Sequence, residues 1–277
     1  MTIGMVGLGL IGGSMAKSIQ AHTDDTVLGY DISREAVNMA RMSGAIDGEL
    51  TDGSIGSCSL IMIALPPAAL VGWVREKAAL MRGVLLVDLC GIKRSICREL
   101  TALAAQNSFS YVGGHPMAGK EVSGFANATA NLFCGAAMIL VPNEKTDITD
   151  LDRLKNFFLQ LGFGQITFTT PDEHDRIIAY TSQLAHITSS AYIKSPTAQK
   201  HMGFSAGSYK DMTRVAKLDP DLWTELFLDN ADYLTGELRV LIQGLNAYLA
   251  ALESGDADTL RTLLKEGRAR KLTAGGD

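Results

Sequence analysis

The stretch "YVGGHPMAGKEVSGF" (111–125) places His115 after two glycines and before Pro116. An imidazole titrates near neutral pH and can take a proton from a hydroxyl as negative charge builds on that oxygen. Glycines beside it let other molecules come close, and the proline fixes the bend. Taken alone, the stretch reads equally well as a turn that contains a histidine, because Gly and Pro mark turns whatever their purpose.

A second group of residues lies near the N-terminus. "GMVGLGLIGGS" holds Gly7, Gly9 and Gly12 in G-x-G-x-x-G spacing, directly after a strand-like run and directly before a helical pattern. In that context Gly7 makes the tight turn, Gly9 lets the backbone approach a pyrophosphate, and Gly12 lets helix and strand pack closely. The helix start, with Leu10 and Ile11, then offers free N–H groups to the phosphates. The next apolar run, "TVLGYD", ends at Asp31, 19 residues beyond Gly12. An acid there binds the adenosine ribose 2′-hydroxyl and repels a 2′-phosphate, so the expected cofactor is NAD. Arg34, three residues later, keeps NADP as the alternative.

Alternating elements must position these residues. "IGMVGLG", "TVLGYD", "LIMIALP", "GVLLVDLCG", "FSYVGGHP" and "GAAMILVP" are continuously apolar runs of strand length. Helical patterns over 12–22, 33–43, 67–81 and 92–106 separate them. Such runs suit strands buried on both faces by helices, hence a parallel, doubly wound α/β sheet of the Rossmann type. One further helix and strand fill 151–170. From Pro171 onward only helical patterns are read, which predicts a nucleotide-binding domain over 1–168 and an all-α domain over 169–277. Long helices with broad apolar faces predict a homodimer formed through the second domain. The polar stretch 194–214, with Lys200, Lys210, Asp211 and Arg214, reads as a long functional loop. The final "LTAGGD" reads as frayed.

The chain of 277 residues is 47% hydrophobic with net charge −5, which argues against a nucleic-acid partner. Its longest apolar run is too short for a membrane span and is broken by Pro66 and Pro67. Four cysteines without C-x-x-C spacing read as reduced thiols, and no metal site is expected. With no secretion leader read at the N-terminus, the expected location is cytoplasmic.

Five segments, "VGLGLIGGSMA", "GYDIS", "VDLCGIK", "GGHPMAGKEVSGF" and "YKDMTRVAKLDPDLW", together resemble the prephenate/arogenate dehydrogenase family of tyrosine biosynthesis. The resemblance implies an NAD-dependent oxidative decarboxylation of a cyclohexadienyl substrate. His115 matches the family's catalytic histidine, which decides its reading. Arg214 matches an arginine that holds a substrate carboxylate, with Lys210 in the same segment and Asp211 able to orient that lysine. His186 matches a histidine near the substrate side chain, and Glu121 an acid at the site mouth. Trp223 matches an aromatic of the dimer domain. The sequence departs from the family pattern at Gly91, where a serine that bridges the histidine and the nicotinamide is usual. Either a water or Cys90 then replaces the hydroxyl, or the cofactor sits slightly differently, and Gly91 stays a cofactor-contact position. Gln183 stands where a second histidine is common. Prephenate is favoured as substrate over arogenate, because no residue is obviously placed to pair with an ammonium. A non-catalytic NAD-binding redox sensor is the rival of a different class.

Overall fold

The computed structural model describes residues 1–275. Contacts divide the chain into two compact units, Met1–Asn230 and Ala231–Asp277. In the first, β1 (Thr2–Val6), α1 (Leu10–His22), β2 (Thr26–Tyr30), α2 (Arg34–Met42), β3 (Gly48–Glu49), α3 (Asp52–Ile55), β4 (Leu60–Ile63), α4 (Pro67–Lys77), β5 (Leu85–Asp88), α5 (Arg94–Asn107) and β6 (Ser110–Pro116) alternate along the chain. They are followed by β7 (Ala137–Val141), α6 (Ile148–Gln160) and β8 (Gln165–Phe168). The eight strands form one sheet in the order β3-β2-β1-β4-β5-β6-β7-β8. Every residue of β4 and β5 is buried, as expected for strands covered on both faces.

Two features differ from the expected sheet. β3 is a two-residue strand with no apolar run to announce it, paired with β2 through Gly29 and Glu49. β7 lies antiparallel to β6, with His115 opposite Ile139. The reason is visible between Pro116 and Ala137. That segment holds only a single 3₁₀ turn at Phe125–Asn127 and no crossover helix, which a parallel partner would require. β8 then pairs parallel with β7.

Helices fill the rest of this unit: α7 (Pro171–Ile178), a wider π turn (Ala179–Leu184), α8 (Ala185–Tyr192), α9 (Gly207–Thr213) and α10 (Pro220–Asp229). Thr170 caps α7 by accepting from the Glu173 N–H, with Pro171 in the first turn. Asp219 caps α10 in the same way, before Pro220. The stretch expected as a loop, 194–214, instead carries a 3₁₀ turn (Pro196–Lys200) and α9. Its polar, glycine-containing composition hid helices this short. The second unit consists of α11 (Ala231–Glu253) and α12 (Ala257–Ala274), joined by a turn in which Gly255 takes φ +67°. α12 continues through Ala274, so "LTA" is helical rather than frayed, and the last two residues lie outside the described part. Among the described residues, no helix is long and apolar enough to cross a membrane.

Candidate active site

A cleft of about 460 Å³ opens where strands end. Ile11 follows β1, Ala64–Pro66 follow β4, Leu89–Gly91 follow β5, and His115–Gly119 come from the end of β6. Carboxyl ends of parallel strands, beside the point where strand order reverses between β1 and β4, are where open α/β sheets bind ligands. Helical residues close the other side: Ile178, Ser182, Gln183 and His186, then Leu222, Trp223 and Leu226 of α10. Ser182 and Gln183 belong to the π turn, a distortion frequent at functional sites.

His115 is the polar centre of this cleft. Its Nδ1 lies 2.9 Å from His174 Nε2, and His174 Nδ1 lies 2.7 Å from Asp175 Oδ1. Asp175 also accepts the backbone N–H groups of Lys93 and Arg94, both at 2.8 Å, at the start of α5. Burial works to raise the Asp175 carboxyl, but the His174 bond and the backbone donors outweigh it and hold it below the ordinary range. It is therefore a carboxylate that accepts from His174 Nδ1. Burial lowers the His174 pKa, against the opposing pull of Asp175, so the ring is neutral and its Nε2 carries a lone pair. That lone pair must be met by a proton on His115 Nδ1. The chain of bonds thus leaves His115 Nε2 as a free acceptor.

The Nε2 atom points toward Gly91. A Cβ built on Gly91 would sit 3.9 Å from His115 Nε2 and 3.8 Å from a Leu226 methyl, both ordinary contacts. Burial pushes the His115 pKa well below 6.5, helped by the neighbouring His174 and Lys93. The ring keeps partial exposure to the cleft although protein atoms surround it, and at neutral pH it is an unprotonated imidazole. Cys90, beside Gly91, is buried, and burial pushes its thiol up to about 11, so it remains S–H.

Beneath the cleft lies a charged core. Lys93 and Asp88 are fully buried, with Nζ 2.5 Å from Asp88 Oδ1. The ammonium also donates to the carbonyls of Cys90 (2.8 Å) and Ile92 (3.0 Å), which ties down the turn that carries Gly91. Tyr111 donates to the other Asp88 oxygen at 2.7 Å. Burial opposes the charge on Lys93, but Asp88 outweighs it and raises the pKa, so the pair stays ionised. Each partner is hydrogen-bonded, the condition under which a buried ion pair is tolerated.

The nucleotide end fits a dinucleotide. Gly7 has φ +83°, and a Cβ there would meet the Ala64 carbonyl oxygen at 2.4 Å. One on Gly12 would fall 1.8 Å from the Gly7 oxygen, whereas nothing lies within 4 Å of one on Gly9. Gly9 precedes α1 and gives it no side-chain cap, so the first N–H groups of the helix, around Leu10 and Ile11, remain available to an anion. Asp31 accepts from the Leu8 N–H (2.7 Å) and the Ser33 N–H (2.8 Å) at the tip of β2. Arg34 is engaged elsewhere, in a two-pronged pair with Glu49 at 2.7 and 3.0 Å.

The remaining expected residues gather less tightly. His186 lines the cleft, its Nδ1 3.0 Å from the Val215 carbonyl and its ring 4.0 Å from that of Trp223. Nδ1 must carry the proton there, which leaves Nε2 as an acceptor. Trp223, matched to an aromatic of the dimer domain, also lines the cleft. Arg214 donates to the Glu121 carboxylate, not to Asp211 or Asp219, and both charges act on the His186 ring. Lys210 is exposed on α9. Gln183 is a cross-link: its amide donates to the Leu226 carbonyl (3.1 Å), and its oxygen accepts from Asn230 (2.8 Å), which also donates to the Asp175 carbonyl.

Sequence reasoning missed His174, Asp175, Lys93 and Asn230. "PDEHD" reads as an acidic first turn of a helix, and nothing local says that this turn docks on the start of α5. The only available signal was a second histidine with a carboxylate next to it.

Residues 15–166 match the family description "Prephenate dehydrogenase, nucleotide-binding domain", and residues 170–266 match "Prephenate dehydrogenase, dimerization domain". This chain belongs to the prephenate dehydrogenase family. It is 30% identical over 280 residues to the cyclohexadienyl dehydrogenase of Zymomonas mobilis, which covers 98% of this chain and 94% of the relative. It is 29% identical over 277 residues to the prephenate dehydrogenase of Bacillus subtilis, covering 96% and 74%. The crystal structure of Aquifex aeolicus prephenate dehydrogenase in complex with hydroxyphenyl propionate and NAD+ superposes with a TM-score of 0.83 at 27% identity, covering 99% of this chain and 98% of that one. As an oxidoreductase of the prephenate dehydrogenase family, the chain builds its cleft from both matched segments. His115 comes from the first, and His174, Asp175, His186 and Trp223 come from the second.

Proposed function

We propose that this protein oxidatively decarboxylates prephenate with NAD, yielding 4-hydroxyphenylpyruvate, CO2 and NADH in tyrosine biosynthesis. The observation that carries the reading is the unprotonated His115 Nε2, held toward the cleft by His174 and Asp175. The bound dinucleotide supplies the hydride acceptor, and Gly7, Gly9, Leu10, Ile11, Gly12 and Asp31 are the residues that would hold it, with Gly91 at its nicotinamide end. His115 Nε2 accepts the proton of the 4-hydroxyl as the carbon beneath it loses hydride. The bond to the ring carboxylate then breaks, its electron pair flows through the ring to the 4-oxygen, and His115 returns the proton to give the phenol. The His174–Asp175 pair orients the ring and stabilises the transient imidazolium, as a buried carboxylate does in a hydrolase triad. Arg214 would take a substrate carboxylate in exchange for Glu121, since a guanidinium fork pairs both oxygens. His186 and Lys210 complete the substrate side. We assign residues 1–168 to nucleotide binding and 169–277 to substrate binding and dimerisation, in a cytoplasmic enzyme.

The test is NADH or NADPH formation by the purified protein with prephenate and with arogenate, each offered NAD and NADP. Prephenate with NAD is expected to turn over fastest. Turnover with arogenate alone would keep the chemistry and reverse the substrate. Silence with all four combinations, with NAD still bound, would favour the sensor.

A homodimer through the C-terminal helices is supported by an apolar stripe on α11. Ile242, Leu245, Leu249 and Leu252 recur at helical spacing, each about half exposed or more. Light scattering is expected to report twice the chain mass. Leu245→Glu combined with Leu249→Glu should reduce it to one chain; an unchanged mass would place the interface elsewhere.

A further inference from the structure

The adenosine end of the nucleotide site holds a charge arrangement that the glycine fingerprint does not explain. Asp31 closes β2, Arg34 opens α2, and Glu49 ends β3 beside Gly29, two residues before Asp31. Both Arg34 nitrogens of the guanidinium fork are taken by the two Glu49 oxygens. The hydrogen bond to Arg34 draws the Glu49 pKa down, and the same bond raises that of Arg34. Arg41, farther along α2, adds a weaker attraction to Glu49.

An arginine just after a β2 acid is the group that could accommodate a ribose 2′-phosphate. Here it already has a carboxylate partner, matched oxygen for nitrogen. We infer that Glu49 is a cofactor-selectivity residue, which occupies Arg34 so that a 2′-phosphate finds no free guanidinium and is refused. The inference rests on the dinucleotide reading of the site and adds to it the residue that sets the preference. A ribose 2′-hydroxyl needs only Asp31 and is untouched by the pair. A 2′-phosphate would have to displace Glu49 from Arg34 while facing the Asp31 carboxylate, and like charges so placed oppose binding strongly.

The pair is exposed, at 67% and 34% of the side-chain surface, so removing it should leave the fold intact. The measurement is calorimetric binding of NAD and of NADP to the full-length protein without substrate, for wild type, Glu49→Gln, and Glu49→Gln with Arg34→Ala. Glu49→Gln is expected to tighten NADP about tenfold, one charge-assisted hydrogen bond's worth, with NAD changed less than about twofold. The gain should vanish in the double variant. An NADP affinity unchanged in Glu49→Gln, or a gain that survives the loss of Arg34, would overturn the inference. Wild-type protein that binds neither dinucleotide would overturn the nucleotide reading itself, and the inference with it.

Discussion

Replacing His115 with asparagine should lower kcat by about 10³-fold while the affinity for NAD changes less than about twofold, because general-base catalysis contributes on the order of 10²–10⁴ and the dinucleotide does not depend on the imidazole. Asparagine keeps a donor near His174 Nε2, so the His174–Asp175 pair and the cleft wall should persist. It has no acceptor of imidazole basicity to offer a hydroxyl. Steady-state rates with calorimetric NAD binding check the expectation. A kcat within about tenfold of wild type would remove His115 from the chemistry, whatever its position in the cleft.

Asp175→Asn should cost nearly as much, about 10²-fold or more in kcat, through a residue that never touches substrate. The carboxylate is what requires the proton on His174 Nδ1, and that in turn frees His115 Nε2. An amide can donate to Nδ1 instead, which reverses the order of protons along the chain of bonds and leaves His115 Nε2 protonated. The same amide disturbs the two backbone N–H groups at the start of α5, at a cost of about 1–3 kcal/mol if one is left unmet. Thermal unfolding separates the two effects. A loss of kcat in a protein that remains folded at the assay temperature and binds NAD marks the proton order, whereas full activity would show that Asp175 only braces α5.

The legible parts of this protein were those written in local spacing. Gly7, Gly9, Gly12 and Asp31 follow from a turn, a close approach and a strand end, all within one βαβ unit. The glycine-rich surroundings of His115 left it open between a turn and a site until the resemblance decided it, whereas the burial of β4 and β5 was visible in their unbroken apolar runs. What escaped depends on contacts far apart in sequence. Nothing in "DLCGIK" marks Lys93 as buried, yet Asp88 and two carbonyls hold it in the core. Asp175 is 82 residues from the Lys93 N–H it accepts, and no periodicity reports such a pairing. Arg34 and Glu49 meet only because the two-residue β3 brings them together, and a strand that short has no pattern of its own. Arg214 was placed by resemblance, and its partner Glu121 lies 93 residues away. The orientation of β7 could have been read from the missing helix between Pro116 and Ala137, but strand-length runs alone carry no direction.

The pH dependence of kcat/KM for prephenate at saturating NAD tests the central claim most directly, because it asks whether the essential base is a neutral, buried imidazole. Burial first, then His174 and Lys93, lowers the His115 pKa below 6.5, so protonation should remove activity only as pH falls below that value. The account predicts full activity at pH 7, a single acid limb with its midpoint below 6.5, and loss of that limb in the residual activity of His115→Asn. A limb centred above 7, or one that persists unchanged in the variant, would contradict it.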